Sequence, residues 1–543
     1  MRGEQSVISQ TGTDWWRGAV IYQIYPRSFL DTNGDGVGDL PGITAKLDYI
    51  ADLGVDAIWI SPFFTSPMRD FGYDVADFCD VDPLFGTLAD FDALIARAHA
   101  LGLKVIIDQI YSHTSDQHDW FADSREGSDS KKSDWYIWAD PAPGGGPPNN
   151  WQSFFYGPAW TWDSRRCQYY MHNFLPEQPD LNMWNPDVRA AILETLRFWL
   201  DRGVDGLRLD AISHLLHDRQ LRNNPPKPCE HPRKPADMQS QDFTLGLPEI
   251  ADFMAEIRDV LDQYDNRFAV GEIGGDDPVS QAVTFADPDT TLQTAYNFSF
   301  LFEADLTPAL LKKTIMDSLE RHPKGWPTQV FSNHDAVRVP TRWGGDDFVP
   351  EFARMLNVLL LSLRGSVCLY QGEELGLNQT DVPFEKLVDP EALKNWPRTL
   401  GRDGARTPMP WMKSADNTGF SSQEPWLPID AKHPDLAVSE QAGVSGSTLE
   451  LTRQVLMRRR DLPALRLGDI SFIEADKNCL VFTRGFEGET ILCAFNLSDK
   501  SATFVHPDGV WNALDDFPSQ GQIRDGKLTL PAHGFLLASL QKQ

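Results

Sequence analysis

The chain contains 543 residues, which is longer than one ordinary domain, so we expect two or three domains. Its net charge of −29 argues against a nucleic-acid partner, because phosphate backbones are bound by basic surfaces. The same charge argues against an anionic membrane surface, and no run of about 18 apolar residues predicts a membrane-spanning helix.

The N-terminal residues and the cysteines indicate a cytoplasmic protein. The first residues, "MRGEQSVISQTGTDWWRG", lack the apolar core of a secretory signal, so the cytoplasm is expected unless a signal has been removed. The six cysteines form no CxxC pair and none lies at zinc-ligand spacing with histidine, which indicates ordinary reduced side chains. A monomer and a homodimer are both compatible with the sequence.

The first predicted strand, "AVIYQIY" (19–25), is followed by a glycine-rich acidic loop, "DTNGDGVGDL" (31–40). Calcium takes about six to eight oxygen ligands, and a tight turn can supply several of them. The EF-hand pattern requires Glu at its last loop position, which is Gly42 here, so a calcium-sensor loop is excluded. A structural ion and an acidic turn without an ion both stay open at this point. The candidate ligands are Asp31, Asn33, Asp35, the carbonyl of Val37, and Asp39.

Short apolar runs recur along the chain and alternate with amphipathic helices. Near-continuous apolar character is typical of strands buried on both faces, as in a parallel sheet. Eight such units predict an α/β fold, a (β/α)8 TIM barrel with its chemistry at the C-terminal strand ends. The predicted strands are 19–25, 55–61, 104–110, 203–210, 267–272, 292–298, 328–334 and 365–371. Two helices are predicted most clearly. One follows "NPD" (185–187), and the other covers about 248–264.

Two segments interrupt this alternation, and the end of the chain departs from it. Residues 114–185 are rich in Trp, Pro and Gly, and residues 222–246 are polar and proline-rich. Loops of this length in a compact fold are usually functional or disordered. From about residue 466, short strands separated by turns predict an antiparallel β-domain. The predicted organisation is a barrel (1–113 and 186–465), an inserted substrate-cleft subdomain (114–185) and a C-terminal β-sandwich (466–543).

Charged and polar side chains stand at the strand ends that would meet at one barrel mouth. They are Asp108, His113, Arg208, Asp210, Glu272, His334 and Asp335. Because charged groups are costly to desolvate, this concentration indicates a functional site. Paired carboxylates cleave glycosidic bonds, with retention of configuration at a separation of about 5–5.5 Å and inversion at a larger one. The aromatic residues of 114–185 could pack on sugar rings, although for any single Trp a role in a core is the better explanation.

Several stretches resemble the conserved segments of one enzyme family. "DQIYSHTS" (108–115), "GLRLDAIS" (206–213), "VGEI" (270–273) and "FSNHD" (331–335) are similar to the four conserved segments of the α-amylase superfamily, glycoside hydrolase family 13. The opening loop, "DFGYDVADF" (70–78), "QPDLN" (178–182) and "GRDGARTPMPW" (401–411) resemble its α-glucosidase and oligo-1,6-glucosidase branch. The resemblance extends from about residue 14 to the C-terminus.

The resemblance implies a retaining reaction carried out by three carboxylates. Asp210 would be the nucleophile, Glu272 the general acid/base with a raised pKa, and Asp335 would favour the oxocarbenium-like transition state. The implied substrate contacts are Asp70, Tyr73, His113, Phe155, Phe174, Arg208, His334 and Arg402. Arg406 is a weaker candidate, for which a structural ion pair is an equal explanation.

The resemblance also bears on the substrate, which would be a small disaccharide or oligosaccharide. Asp70 and Arg402 would close the pocket on a terminal glucose, which implies exo action. In this branch Val after the nucleophile accompanies α-1,6 linkages and smaller residues accompany α-1,4, so Ala211 implies maltose-type and also sucrose-type substrates. A covalent glucosyl intermediate would allow transglucosylation. Apart from the resemblance, the length of the loop 222–246 and its position after the fourth strand lead us to expect that it overhangs the leaving-group side and limits substrate length.

Two details concern the barrel rim. In this branch the loop at 31–40 resembles a structural calcium or magnesium site, which would stiffen the rim and take no part in bond cleavage. The first segment of the family usually ends in Asn-His, whereas this chain has Ser112 before His113. That departure affects local hydrogen bonding rather than the expected activity.

Three other functions compete with hydrolysis. A sugar isomerase or transglucosidase, of the sucrose- or trehalose-forming type, would use the same fold and carboxylates. A non-catalytic scaffold or binding barrel would have lost catalytic carboxylates, but all three are present. A metal-dependent barrel hydrolase would need a cluster such as His-x-His at the strand ends, which the sequence does not offer.

Removal of the predicted calcium ion should loosen the rim before it affects the chemistry. We expect excess chelator to lower the melting temperature, measured by scanning calorimetry, while turnover at 25 °C is retained, because a bound ion stabilises only the folded state. Adding back calcium or magnesium in parallel samples identifies the preferred ion. An unchanged melting temperature in chelator would contradict the prediction.

Overall fold

A computed structural model of the protein describes residues 14–541. The ends of the predicted barrel and β-sandwich, at residues 1–13 and 542–543, lie outside the described residues. Within residues 14–541, no helix combines the length and the apolar character needed to cross a membrane.

Eight parallel strands form one nearly closed barrel, as predicted. They are β1 Val20–Ile24, β2 Ala57–Ile60, β3 Lys104–Ile110, β4 Gly206–Asp210, β5 Phe268–Gly271, β6 Thr294–Ala295, β7 Thr328–Val330 and β8 Ser366–Tyr370. The pairing order is β6-β5-β4-β3-β2-β1-β8-β7, and a parallel bridge between Tyr296 and Thr328 closes the ring. Six of the strands are buried at every position, which explains the near-continuous apolar runs that predicted them.

Helices follow the strands and pack on the outside of the barrel. The principal ones are Leu40–Ala45, Leu47–Leu53, Leu88–Ala100, Pro186–Asp201, Ile250–Leu261, Pro278–Phe285, Pro308–Arg321, Pro350–Ser362 and Thr448–Asp461. The cap predicted at "NPD" is confirmed, because the Asn185 side chain accepts a hydrogen bond from the Asp187 amide. The residues that this helix buries are those predicted from its period: Val188, Ile192, Thr195, Leu196, Trp199 and Leu200.

The sixth and seventh strands are shorter than predicted. β6 ends at Ala295, because the side chain of Asn297 then caps a short 3-10 turn. β7 ends at Val330, and the side chain of Asn333 accepts hydrogen bonds from two of the amides that follow it. Apolar residues continue past both ends, so the apolar pattern alone extended these strands too far. Local side-chain hydrogen bonds turned the backbone instead.

The segment between β3 and the next barrel helix forms a small antiparallel sheet beside the barrel mouth. Its strands are Trp138–Ala139, Gln168–Met171 and Trp160–Asp163, and a short helix, Asp119–Ser124, precedes them. Buried Trp151 and Trp160 stack with ring centroids 5.8 Å apart, so part of the aromatic content builds a core. A bridge between His113 and Asp180 ties the segment back to the end of β3.

The C-terminal residues form an antiparallel β-sandwich, as predicted. One sheet contains Asp469–Ile473, Cys479–Phe486, Glu489–Asn496, Phe535–Leu540 and Trp511–Ala513, and the other contains Ala502–Val505, Lys527–Leu530 and Gln522–Arg524. Leu492 of the first sheet and Leu528 of the second belong to one buried cluster, so the two sheets face each other.

Two buried arginines, Arg459 of the barrel helix Thr448–Asp461 and Arg484 of the sandwich, bind the same end of another barrel helix. Arg459 donates hydrogen bonds of 2.7 Å to the carbonyl oxygens of Leu361 and Gly365, and Arg484 donates one of 2.7 Å to that of Ser362. These carbonyls lie at the C-terminal end of the last barrel helix before β8, where a cation complements the helix dipole. Arg484 thus joins the sandwich to the barrel, and both arginines satisfy acceptors that packing has removed from water.

We expect Arg459→Met to destabilise the protein by about 3 kcal/mol, because several buried carbonyls lose their donor. Arg460→Met is the matched control, since Arg460 is exposed on the same helix and its replacement should change little. Thermal and urea unfolding of both variants measure the difference. Equal stabilities of the two variants would contradict a role for the buried arginine.

Candidate active site

A cavity of about 1490 Å³ lies at the C-terminal ends of the barrel strands. Pockets for small ligands usually measure about 300–1,000 Å³, so this one has room beyond a single sugar ring. Its lining includes most of the residues predicted for the site: Asp70, Tyr73, His113, Phe155, Phe174, Asp210, Glu272, Asp335 and Arg402. The other two, Arg208 and His334, are fully buried and contact lining residues from behind.

The side chain of Arg208 lies between three carboxyl groups at the mouth of the barrel. Its Nη1 donates to Asp108 Oδ1 at 2.8 Å and to Asp210 Oδ1 at 2.6 Å. Its Nη2 lies 2.6 Å from Glu272 Oε2, which also accepts a hydrogen bond from the amide of Ala211. β3, β4 and β5 are neighbours in the barrel, so their ends converge on this one guanidinium.

The carboxyl groups of Asp210 and Glu272 have raised pKa values. Burial raises the pKa of Glu272 to about 8, against the opposing charge of Arg208. Burial likewise raises the pKa of Asp210 to about 7, and Arg208 again opposes the rise. The two groups share one environment, and the higher pKa belongs to Glu272. Burial therefore favours a retained proton on this pair near neutral pH, and the Arg208 guanidinium favours the ionised form of both groups.

Asp335 is held as a carboxylate. Burial would raise its pKa, but the interaction with His334 and the charges of Arg406 and Arg402 hold it well below its usual range. Arg406 is buried, and its guanidinium donates to Asp335 Oδ1 at 2.6 Å and to the carbonyl of His334 at 2.8 Å. The alternative weighed for Arg406, an ion pair, is therefore what the structure contains, and its partner is a predicted catalytic carboxylate.

The end of the cavity is closed by an ion pair between Asp70 and Arg402. Arg402 Nη2 donates to Asp70 Oδ1 at 2.7 Å and to Asp389 Oδ1 at 2.8 Å. The guanidinium also lies 3.7 Å from Asp335 Oδ1. Since Asp70 and Asp389 are buried, the guanidinium is fixed in one position at the end of the pocket.

His113 and Tyr73 form the adjoining wall. His113 Nε2 lies 3.0 Å from the carbonyl oxygen of Tyr73, and burial lowers the pKa of His113 to about 4. The imidazole is therefore neutral. The ring of Tyr73 stacks on that of His334 with centroids 5.4 Å apart. Ser112, the departure from the family pattern, places its hydroxyl 2.9 Å from Nδ1 of His113.

Aromatic rings form one continuous wall from His113 towards the cavity opening. The Phe174 ring centroid lies 5.2 Å from that of His113 and 5.5 Å from that of Phe155. Phe154, which is 40% exposed, continues the wall 6.0 Å from both phenylalanines. Edge and tilted aromatic contacts of this kind keep the rings in place and leave apolar faces towards the cavity.

The polar segment 222–246 contributes residues to the cavity wall opposite the strand ends. It is tied to the inserted sheet by Asn150, whose side chain donates to the Asn224 carbonyl at 2.9 Å. Trp151 Nε1 donates to the Arg222 carbonyl at 2.8 Å. These hydrogen bonds hold a long segment, whose regular structure is limited to the 3-10 helix Pro235–Met238 and one β-bridge, in a definite path along the cavity.

The acidic side chains of the loop 31–40 do not converge as a group of metal ligands. The Asp31 carboxylate accepts bonds from three loop amides and from the Ser421 hydroxyl. Asp39 caps the following helix through the amide of Gly42 and also accepts from Thr32. Among residues 14–541, no three Asp, Glu, His or Cys side chains lie together as ligands. Hydrogen bonds to neighbouring groups thus account for the Asp31 and Asp39 carboxylates, and calcium stays a prediction that depends on the chelator experiment.

Two residues of the site were not singled out from the sequence. Gln178 Nε2 lies 3.2 Å from Asp70 Oδ2 and 3.0 Å from His113 Nε2, so it joins two walls of the pocket. It belongs to the quoted stretch "QPDLN", which was the available signal. Asp389, the partner of Arg402, stands in a segment without any motif, and nothing in the sequence marks it.

Two family models match nearly all of the described chain. The model for the alpha amylase catalytic domain matches residues 23–468. The model for the maltogenic amylase C-terminal domain matches residues 470–537. The first match includes the end of β1, the strands β2 to β8 and the cavity, and the second includes most of the β-sandwich.

Individual proteins are similar over the whole length. A probable alpha-glucosidase of Rhizobium meliloti (strain 1021) is 48% identical, over 99% of this chain and 100% of its own. An oligo-1,6-glucosidase of Heyndrickxia coagulans is 38% identical, over 92% and 95%. Among solved structures, the alpha-glucosyl transfer enzyme XgtA has a TM-score of 0.94 at 50% identity, covering 97% and 99%. The trehalulose synthase MutB from Pseudomonas mesoacidophila MX-45 has a TM-score of 0.90 at 32% identity, covering 98% and 100%.

The protonation of Glu272 can be measured directly. In infrared difference spectra between the wild type and Glu272→Gln, we expect a carboxylic acid band that disappears with a midpoint near pH 8, because burial raises this pKa. Asp335→Asn should lower the midpoint, since it removes a negative charge that opposes ionisation. A midpoint near the ordinary value of 4.5 would show that burial does not control this group.

Proposed function

Because this chain belongs to the α-amylase family and is a glycoside hydrolase, we propose that it is a retaining, exo-acting α-glucosidase that releases terminal glucose from short α-glucosides. One observation carries the proposal. The carboxyl groups of Asp210 and Glu272 share the Arg208 guanidinium inside a cavity whose end is closed by Asp70 and Arg402.

In the first step, the Asp210 carboxylate attacks the anomeric carbon of the terminal glucose. Glu272 gives its proton to the glycosidic oxygen as the bond to the leaving sugar breaks. The product of this step is a glucosyl ester of Asp210. The raised pKa of Glu272 supports its role as the acid, and the hydrogen bond from Arg208 to Asp210 supports ionisation of the nucleophile.

In the second step, Glu272 acts as a general base. It removes a proton from a water molecule, whose oxygen attacks the anomeric carbon and displaces the Asp210 carboxylate. Two displacements at the same carbon retain the α-configuration. A shared guanidinium favours the short carboxyl separation of about 5–5.5 Å that retaining enzymes have over the 6.5–9.5 Å of inverting ones.

The other charged groups act on the sugar and on the transition state. Asp335, kept ionised by its basic neighbours, is suited to bind sugar hydroxyls and to stabilise the positive charge that develops at the anomeric carbon. The neutral imidazole of His113 is suited to hydrogen-bond the primary hydroxyl. These groups are fixed before substrate binds, so little reorganisation accompanies the reaction.

The closed end of the cavity supports exo action. Asp70 and Arg402 stand where an endo-acting enzyme would need a continuing groove for further sugars. Ala211 follows the nucleophile and lines the cavity with a small side chain. We therefore propose a preference for α-1,4 over α-1,6 linkages, with maltose as the typical substrate and sucrose as a further one.

Glucosyl transfer is the second candidate function. In transfer, the hydroxyl of an acceptor sugar or alcohol replaces water in the second step, with Glu272 taking its proton. Two similar structures support this candidate by their names, one an alpha-glucosyl transfer enzyme and the other a trehalulose synthase. The cavity also has room for an acceptor beside the glucose. Hydrolysis and transfer differ only in what attacks the common intermediate.

A substrate panel followed by NMR separates these possibilities. With maltose, isomaltose and sucrose, we expect maltose to be cleaved fastest and α-glucose to appear before mutarotation, because two displacements retain configuration. Larger or rearranged sugars would indicate transfer or isomerisation, and β-glucose as the first product would contradict the retaining mechanism. Asp210→Asn and Glu272→Gln should each lower kcat by at least about 1,000-fold with folding intact.

A further inference from the structure

Lys234 lies in the segment 222–246 and is unusually buried for a lysine, with 8% of its side chain exposed. Its ammonium nitrogen lies 2.9 Å from Glu391 Oε1 and 3.7 Å from the centroid of the Phe154 ring. A carboxylate on one side and an aromatic face on another compensate for the water that this cation has lost. The contact is therefore specific in geometry and not a loose surface pair.

The three partners come from three separate walls of the cavity. Lys234 belongs to the segment after β4, Phe154 to the inserted segment, and Glu391 to the short helix Pro390–Asn395. All three side chains line the cavity. The ammonium group of Lys234 thus links the segment 222–246 to the inserted segment and to the helix Pro390–Asn395.

The helix Pro390–Asn395 also holds the inner end of the pocket. Asp389, its N-cap residue, accepts hydrogen bonds from the amide and guanidinium of Arg402 at 2.7–3.1 Å. Asn395 Nδ2 donates to the Phe155 carbonyl at 3.0 Å. The attachment point of Lys234 is therefore rigid and continuous with the residues that would bind the terminal glucose.

We infer that Lys234 is a specificity-determining residue: its contact with Glu391 and Phe154 fastens the segment 222–246 over the acceptor side and restricts the enzyme to short α-glucosides. The inference rests on the proposed α-glucosidase function. With the contact in place, a long glucan must displace a buried ion pair to pass beneath the segment. A disaccharide needs no such displacement, so the contact discriminates by length.

The same segment contains a matched control. Lys227 forms an ion pair of 2.6 Å with Asp276, but the side chains of this pair are 42% and 78% exposed. Exposed pairs contribute little, because water screens the charges and the side chains keep their freedom. Loss of Lys227 should therefore leave the path of the segment unchanged, whereas loss of Lys234 should release it.

The first test compares kcat/KM for maltohexaose and maltose in purified full-length variants. We expect Lys234→Met and Glu391→Gln each to raise the maltohexaose-to-maltose ratio by about tenfold, because the segment no longer closes the path. Lys227→Met should leave the ratio within about twofold of the wild type. The exchanged pair, Lys234→Glu with Glu391→Lys, should return the ratio towards that of the wild type. Unchanged ratios in Lys234→Met and Glu391→Gln would overturn the inference.

A second measurement does not depend on activity. Hydrogen exchange of the amides in 222–246 should be faster in Lys234→Met than in the wild type, and unchanged in Lys227→Met. Equal exchange in Lys234→Met and the wild type would overturn the fastening role, and faster exchange with an unchanged length ratio would overturn the specificity role. A wild type that cleaves neither sugar would refute the proposed function, while the exchange experiment would still decide whether Lys234 fastens the segment.

Discussion

The guanidinium of Arg208 is the interaction on which the site depends. It lies within 2.8 Å of an oxygen atom from each of Asp108, Asp210 and Glu272. Without a cation, three buried carboxyl groups would disfavour one another's negative charge and would take up protons, because the surroundings offer little water. One cation that contacts all three allows one group to ionise while another keeps its proton. That difference in protonation is what a nucleophile and a general acid require.

The same arrangement recurs at the inner end of the cavity. Arg402 lies between Asp70 and Asp389 and approaches Asp335, which Arg406 holds from the other side. Buried ion networks are weak sources of stability, since desolvation offsets much of the attraction. Their contribution here is preorganisation, because each charged group is oriented before a sugar enters the cavity. Barrel strands and their packed helices supply the stability that such a site lacks.

Much of the fold could be predicted because its signals are local. Buried parallel strands require runs of apolar residues, and eight such runs correspond to eight observed strands. The helix cap at Asn185 depends on neighbouring residues, so it too could be predicted from the sequence. The predicted ends of β6 and β7 were wrong, because the polar turns at Asn297 and Asn333 end these strands within sequence that is still apolar. The acidic loop predicts a metal, which stays a prediction; the structure shows that its Asp31 carboxylate accepts hydrogen bonds from amides of the same loop.

Local sequence predicts which elements form and which carboxyl groups stand at the strand ends, because burial pattern and chain direction are properties of short segments. Which groups meet across the cavity follows from the tertiary structure alone. Asp70 and Arg402 are 332 residues apart, and Lys234 and Glu391 are 157 apart. Such contacts depend on the paths of loops over the barrel mouth, and hydrogen bonds to distant segments set those paths rather than local propensity. For that reason Asp389 and Lys234 carried no signal in the sequence, although both hold walls of the cavity in place.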